Sequence, residues 1–274
     1  MPTRMNRRQS LAVLSQACAA SGWVAAGMGL TPSPAQAQDT GGDPLGTLQW
    51  PGVRKEFLGD ARFAFDAAIS VRTPTFAEDA MNVPVLVDAS AYTGRVQRIV
   101  VVVDRNPIRK VLDFEPLGVQ ARIAFRFKLQ QSSAIRALVQ LDDGTWRVGS
   151  GKVDASGGGC TLPGATRADG SWVNTLGQVQ AQVIRDFLGS GHARLRLRVM
   201  HPMDTGLVNG LPAYYLEQLE VAAPGQGSLL RIRLYEPVSE NPLLTFDLMA
   251  RPPALLHITG RDNSALRIDA QVRS

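Results

Sequence analysis

Alternation of apolar and polar residues with a period of two dominates the chain beyond residue 60. The segment RIAFRFKL, residues 122–129, puts four large apolar side chains on one face and Arg122, Ala124, Arg126 and Lys128 on the other. The segments ARLRLRV (193–199) and LLRIRLY (229–235) repeat the pattern with arginine as the polar residue. Because successive side chains of a strand point to opposite faces, each segment predicts a half-buried β-strand.

One further segment is apolar on both faces. RIVVVVD, residues 98–104, predicts a strand that is covered on both sides. Turn signals such as Asn106-Pro107 and Asp143-Gly144 separate many short apolar runs, and no long amphipathic helix interrupts them. This spacing predicts an all-β protein built from β-sandwiches.

Residues 155–177 break this rhythm, because they are rich in Gly, Ser, Thr and Asn and have no apolar period. Strand-rich sequence lies on both sides of them, at 54–154 and 178–274, and within the second part QVQAQVIRDF (178–187) predicts a strand rather than a helix. We therefore expect two sandwich domains of similar size, joined by a Gly-rich loop that carries a cysteine. Residues 38–53 are expected to be an N-terminal linker.

The first 37 residues have the layout of a secretory signal peptide. A basic start is followed by a modestly apolar run and by an Ala35-x-Ala37 cleavage signal, and the pair Arg7-Arg8 resembles a twin-arginine export motif. Polar residues and glycines interrupt the apolar run, so a permanent membrane span is not expected. We expect cleavage near Ala37, location in the periplasm, and loss of Cys18 with the signal.

The net charge of the chain does not indicate nucleic acid as a partner. The signal segment holds three arginines and no acidic residue, so its removal lowers the formal net charge from +5 to +2. One cysteine then remains, Cys160, which excludes an internal disulfide. In an oxidising compartment, a single cysteine suggests a reactive thiol or pairing between molecules, here as a disulfide-linked homodimer.

The surroundings of Cys160 favour a reactive thiol on a mobile tether. Gly157, Gly158 and Gly159 precede it directly, and three consecutive glycines make a poor strand but a flexible arm. Such an arm could bring the thiol into the cleft of another protein. The alternative is a partly buried cysteine in a linker, without chemistry. Arg167 and Lys152 could lower the pKa of the thiol, but both are more simply solvated charges.

Several segments resemble the two subunits of the SoxY–SoxZ sulfur carrier, fused in that order. The SoxY-like segments are VVVVDRNPIRKVLDFEP (100–116), AIRALVQLDDGTWRVGSGKV (134–153) and the element Gly158-Gly159-Cys160. The SoxZ-like segments are RLRVMHPMDTG (196–206), PAYYLEQLEV (212–221) and SENPLLTFDL (239–248).

The resemblance implies a carrier rather than an enzyme, with two immunoglobulin-like β-sandwich domains and no cofactor or metal. By the same resemblance, Cys160 is the covalent attachment point for a sulfur-containing cargo, and Gly157, Gly158 and Gly159 form its flexible arm. Its partners would be sulfur-oxidising enzymes of the periplasm, which load and process the cargo.

The chain departs from the SoxY pattern after the cysteine. The SoxY arm ends the chain, whereas here Thr161, Leu162 and Pro163 follow Cys160 and the chain continues. A loop tethered at both ends must enter a partner as a doubled strand, which puts the usual thiosulfate-oxidising partners in doubt. Fused carriers of this kind resemble a subgroup associated with quinoprotein dehydrogenases, so such an enzyme is the other candidate partner.

Two other classes of function stay open. A non-catalytic adaptor of a dehydrogenase would leave Cys160 dispensable. A copper-binding module could use Cys160, His201 and Met203, with His192 or Met200, but no His or Met lies within 30 residues of Cys160 in sequence. A cysteine hydrolase is disfavoured because no nucleophile motif or paired base surrounds the thiol.

Overall fold

The computed structural model describes residues 41–168, 170, 172–185, 189, 192–248 and 253–273. The segment 1–37, for which the sequence predicts a signal peptide with a twin-arginine motif, cleavage near Ala37 and loss of Cys18, lies outside the described residues. None of the helices in these described residues combines the length and the apolar composition that a membrane span requires.

The described residues are mostly β-strands with a few short helices. The helices are α1 Trp50–Phe57, a 3-10 turn at Ser90–Tyr92, α2 Ala165–Ala168 and α3 Trp172–Thr175. The strands of the first half are β1 Phe63–Phe65, β2 Ser70–Arg72, β3 Phe76–Ala77, β4 Val83–Asp88, β5 Val96–Val103, β6 Lys110–Glu115, β7 Val119–Phe127, β8 Ser133–Leu141 and β9 Trp146–Ala155. Those of the second half are β10 Val179–Ile184, β11 Arg194–Val199, β12 Leu216–Ala223, β13 Gly227–Leu234, β14 Leu243–Leu248, β15 Leu255–Asp262 and β16 Arg267–Arg273.

These strands form two sheets, and each sheet contains strands from both halves. The larger sheet has the order β1-β9-β8-β5-β6-β13-β12-β15-β16, with β3 also paired to β9. The smaller sheet has the order β10-β11-β14-β7-β4-β2. The halves meet through antiparallel pairs, β6 with β13 and β14 with β7. The expected all-β sandwich fold is confirmed. Both sheets are continuous across the two halves, because each half pairs with a strand edge that the other half would leave exposed.

The core lies between the sheets and takes side chains from both halves. Alternation in β7 and β11 puts every second residue into it, as the sequence pattern predicts. The rings of Phe114 on β6 and Phe246 on β14 are 5.5 Å apart and both are fully buried. Full burial of a side chain of this size contributes roughly 1.5–3 kcal/mol. The strand predicted in QVQAQVIRDF is confirmed as β10, which pairs antiparallel with β11.

The segment expected to be a linker, 38–53, packs on the sandwich in its described part. Asp43 is buried, and α1 begins at Trp50, with Pro51 in its first turn. Trp50 and Val53 are fully buried against the outer face of the larger sheet, in one cluster with Val100 and Val102 of β5. Helix α1 therefore packs on one of the two apolar faces of β5, as the sequence of this strand predicts.

Candidate functional site

Cys160 lies in a short turn that follows β9 and packs on the residues after β7. The N–H of Gly158 donates to the carbonyl of Gln130 at 3.0 Å, and the N–H of Gly159 donates to that of Leu129 at 3.0 Å. We call residues 156–160 the cysteine segment. In this structure it is docked on the sandwich and does not extend as the arm that the sequence predicts.

The glycines allow the backbone of the cysteine segment to lie very close to neighbouring backbone carbonyls in the docked state. A Cβ on Gly159 would lie 2.1 Å from the carbonyl oxygen of Ala80, and one on Gly157 would lie 2.6 Å from that of Gln130. Gly157 and Gly158 also have φ values of 101° and 90°, which side-chain-bearing residues rarely adopt. The same composition that suggested a flexible tether therefore fits a tightly packed turn, and composition alone does not separate the two.

The thiol of Cys160 is almost completely buried, with 1% of the residue exposed. The Sγ–H donates to the carbonyl of Lys128 at 3.4 Å, and the side chain of Gln130 accepts the N–H of Cys160 at 3.2 Å. From the second half, the hydroxyl of Thr205 donates to the carbonyl of Cys160 at 2.7 Å. Groups from both halves therefore hold the cysteine.

Burial keeps this thiol protonated. Loss of solvent raises the pKa of Cys160 from 9.0 to about 11, and the nearby charge of Lys128 opposes the rise only partly. Because the thiolate is the reactive form, the docked cysteine is a poor nucleophile and is protected from oxidation at neutral pH. Arg167 and Lys152, considered from sequence, instead form ion pairs with Asp204 and Asp154.

Lys128 is the functional-site residue that the sequence reasoning placed wrongly. Its alternation with Arg126 predicted an outward side chain, but Lys128 is 2% exposed. Strand β7 ends at Phe127 and the backbone leaves the sheet, where the N–H of Lys128 donates to the carbonyl of Pro237 and the N–H of Leu129 to that of Ala80. The change in partners turns the side chain inward, and the alternating pattern carries no sign of it.

The ammonium of Lys128 donates a hydrogen bond to the carbonyl of Met203 in the second half. Burial lowers the pKa of Lys128, while the charges of Asp204 and Glu240 act against that shift. Within the described residues, no carboxylate lies at ion-pair distance from this ammonium. The site therefore places a buried thiol beside a buried ammonium group that donates to a backbone carbonyl.

The segment MHPMDTG, 200–206, forms the wall of the site on the side of the second half. Met203 has a φ of 52°, and its N–H donates to Nδ1 of His201 at 3.1 Å. His201 is itself buried, which lowers its pKa to about 4, and its Nε2 faces the carboxylate of Asp262 at 3.5 Å. The histidine thus positions the backbone that holds Lys128 and Cys160.

The described residues contain no group of three or more His, Cys, Asp or Glu side chains that could hold a metal ion. His201 and Met203, the candidate copper ligands, are both used in contacts within the second half, since the sulfur of Met203 accepts the N–H of Leu216 at 3.2 Å. The geometry thus gives these two residues a structural role.

The loop after the cysteine is also fixed to the second half. Nε of Arg167 is 2.7 Å from the carboxylate of Asp204, and its guanidinium lies 4.6 Å from the centre of the Trp172 ring. The carboxylate of Glu240 accepts the N–H of Thr166 at 2.9 Å. Arg167 is therefore an ion-pair partner and not a solvated charge, whereas Lys152 is exposed and pairs with Asp154.

Fold and site together define an all-β protein of two joined halves with one buried cysteine at their junction. A family model described as sulfur oxidation protein SoxY matches residues 54–160 and ends at Cys160. A second, described as sulphur oxidation protein SoxZ, matches residues 188–273. The chain therefore belongs to these two families, as a SoxY–SoxZ fusion, and this membership supports a carrier role in sulfur oxidation.

A sulfur carrier is among the solved structures that match the chain. The sulfur carrier protein SoxY from Chlorobium limicola f thiosulfatophilum is 20% identical, with 39% of this chain and 94% of that chain covered and a TM-score of 0.34. No curated protein matches the chain in sequence.

Proposed function

We propose that the protein is a periplasmic covalent carrier that holds a sulfur-containing intermediate on the thiol of Cys160. The observation that carries this proposal is the position of Cys160, at the end of the SoxY match and in contact with both halves. It is the one cysteine in residues 38–274, so a covalent sulfur cargo has a single thiol to which it can bind.

Carrying cargo requires the cysteine segment to leave its docked position. Individual hydrogen bonds hold the segment, and each contributes only about 0.5–1.5 kcal/mol net. The three glycines then act as the arm, because the backbone freedom that permits the tight turn also permits many extended conformations. Release would restore solvent to the thiol and lower its pKa toward 9.0, which increases the fraction present as the reactive thiolate.

Loading of the arm is an oxidation. Joining the thiol to a sulfur atom of an anionic cargo breaks the S–H bond, forms an S–S bond, and releases one proton and two electrons. A partner enzyme of the periplasm, either a sulfur-oxidising enzyme or a quinoprotein dehydrogenase, accepts the electrons. The carrier itself needs no cofactor for this step. A disulfide-linked homodimer through Cys160 requires the same undocked state, because the docked thiol is buried.

Intact-protein mass spectrometry tests the proposal directly. The exported protein is isolated from its native periplasm with thiols trapped at harvest, and its mass is compared with that of the polypeptide beginning at Gln38. We expect an added mass that maps to Cys160 on fragmentation and is removed by reductant. An unmodified Cys160 under every condition of expression would overturn the carrier proposal.

A non-catalytic adaptor is the second candidate, and the buried, protonated thiol is the observation that favours it. The variant Cys160→Ser separates the two, because it removes the attachment atom and preserves the size of the side chain. A carrier loses sulfur oxidation in this variant, whereas an adaptor keeps it. The variant Thr73→Val is a control. The hydroxyl of Thr73 donates a hydrogen bond to the carbonyl of Lys152 on β9, away from the site.

A further inference from the structure

The outer face of the smaller sheet contains a positively charged cleft that spans both halves. Its volume is about 450 Å³, and Arg126 of β7 and Arg196 and Arg198 of β11 line it. Within the described residues, no carboxylate lies at ion-pair distance from any of these three guanidinium groups. Two other arginines on the same face, Arg122 and Arg194, are both paired with Asp247.

Strand register explains why the three arginines converge. Arg198 is opposite Leu243 and Arg196 is opposite Thr245 on β14, which lies between β11 and β7. Thr245 is in turn opposite Ala124, so Arg126, two residues further along β7, points to the same side. Neighbouring strands are about 4.8 Å apart. The arginines of β11 and the arginine of β7 therefore stand on either side of β14, only two strand spacings from each other.

The other polar groups in the cleft favour a bound anion. Gln180, Gln182 and Asn241 contribute neutral amides. Glu240 is the one carboxylate in the lining, and one of its oxygens already accepts the N–H of Thr166 at 2.9 Å. Three guanidinium groups thus face one carboxylate, and guanidinium forks match the geometry of oxyanions.

An apolar groove continues the cleft. Its volume is about 380 Å³, it is lined mainly by apolar side chains such as Pro74, Pro84 and Leu86, and it shares Arg126 and Leu243 with the charged cleft. A charged end next to an apolar channel suits a ligand with the same two parts, because each part then meets a matching surface.

We propose that this cleft and groove bind a small organic anion, with its oxyanion on Arg126, Arg196 and Arg198 and its apolar tail in the groove. The site does not include Cys160, so the inference goes beyond the carrier function and does not depend on it. Sulfonate and carboxylate are the oxyanions of matching chemistry.

Isothermal titration of the intact protein with hexanesulfonate tests the site. We expect saturable binding to one site that weakens as salt is added, since the contacts are charge-assisted. The variant Arg126→Gln/Arg196→Gln/Arg198→Gln should weaken binding by at least about tenfold. Its matched control, Arg233→Gln/Arg267→Gln/Arg273→Gln, removes the same charge from exposed arginines of the larger sheet and should bind as the wild type does.

Further ligands test the two parts of the proposal. Hexanoate should compete with hexanesulfonate, and methanesulfonate, which lacks the tail, should bind several-fold more weakly. Absence of saturable binding, or equal binding to both triple variants, would overturn the proposal. If the cleft variant does not fold, as judged by circular dichroism, the single variant Arg196→Gln replaces it with the same expected direction.

The design separates this site from the carrier. Cys160→Ser should bind hexanesulfonate with unchanged affinity, and the cleft variant should still acquire mass on Cys160. Failure of either proposal therefore leaves the other unaffected.

Discussion

The N-terminal segment, residues 43–58, and the cysteine segment, residues 156–160, both lie against the sandwich outside its sheets. Different forces hold them. The N-terminal segment buries Trp50 and Val53 and places Asp43 on the buried guanidinium of Arg136, at 2.6 Å between Nη1 and Oδ1. Asp104 pairs with the same guanidinium at 2.9 Å. Although burial alone would raise it, the hydrogen bonds from Arg136 and Thr47 hold the pKa of Asp43 at about 2.

The cysteine segment has no comparable fixation. It carries no large apolar side chain, and hydrogen bonds without an ion pair hold Cys160 and the glycines before it. Its nearby cation, Lys128, is bonded to a carbonyl, and burial lowers its pKa. The comparison shows two kinds of docking in one fold, one that buries apolar side chains and an ion pair and one that depends on hydrogen bonds.

The largest expected effect follows from removing the buried guanidinium. Arg136→Ala leaves Asp43 and Asp104 buried without their partner, which should lower the free energy of unfolding by about 3–5 kcal/mol. Urea denaturation measures the change. The control Arg95→Ala removes a half-exposed arginine that pairs with Asp142 and should cost no more than about 1 kcal/mol. Similar losses in the two variants would mean that Arg136 holds the N-terminal segment no more strongly than a surface ion pair does.

The pH dependence of stability should show the burial of the thiol. The folded-state pKa of Cys160 is about 11 and its ordinary value is 9.0, so the folded state holds the proton more tightly. This contribution is fully present below pH 9 and is lost as the pH rises to 11, a change of about 2–3 kcal/mol. The measurement is the difference in unfolding free energy between wild type and Cys160→Ala across that range. Parallel curves for the two proteins would contradict a buried thiol.

The smallest effect tests the release of the segment. Thr205→Val removes the hydroxyl that donates to the carbonyl of Cys160 and should weaken docking by about 1 kcal/mol, which increases the exposed population roughly fivefold. The rate of alkylation of Cys160 at fixed pH should rise by the same factor. Thr73→Val, which removes a hydroxyl bond to the carbonyl of Lys152, should leave the rate unchanged. Equal rates in both variants would mean that Thr205 does not hold the segment.

Much of the fold could be predicted from the sequence because its signals are local. Alternation located β7, β11 and β13, and the doubly apolar run located β5, since strand faces are set by neighbouring residues. Because β5 is apolar on both faces, the sequence also predicts that another element packs on its outer face. The sequence does not identify α1 as that element, because the eight residues Trp50–Phe57 are too few to give a clear helical period.

The candidate site was also only partly predictable from the sequence. Its cysteine and its glycines could be found there, because a single thiol beside three glycines is a compositional signal. Lys128 is not visible, because a strand that ended one residue later would have put the same side chain in solvent. The cleft arginines are visible one strand at a time, but their convergence depends on β14 lying between β7 and β11.

By itself, the sequence determined the all-β class, the positions of the main strands and the identity of the single thiol, all of which depend on neighbouring residues. Only the tertiary structure decided that both sheets run through both halves and that Cys160 is docked beside Lys128. The physical reason is that edge pairing, burial of Arg136 and Lys128, and the raised pKa of the thiol arise from contacts between residues far apart in the chain.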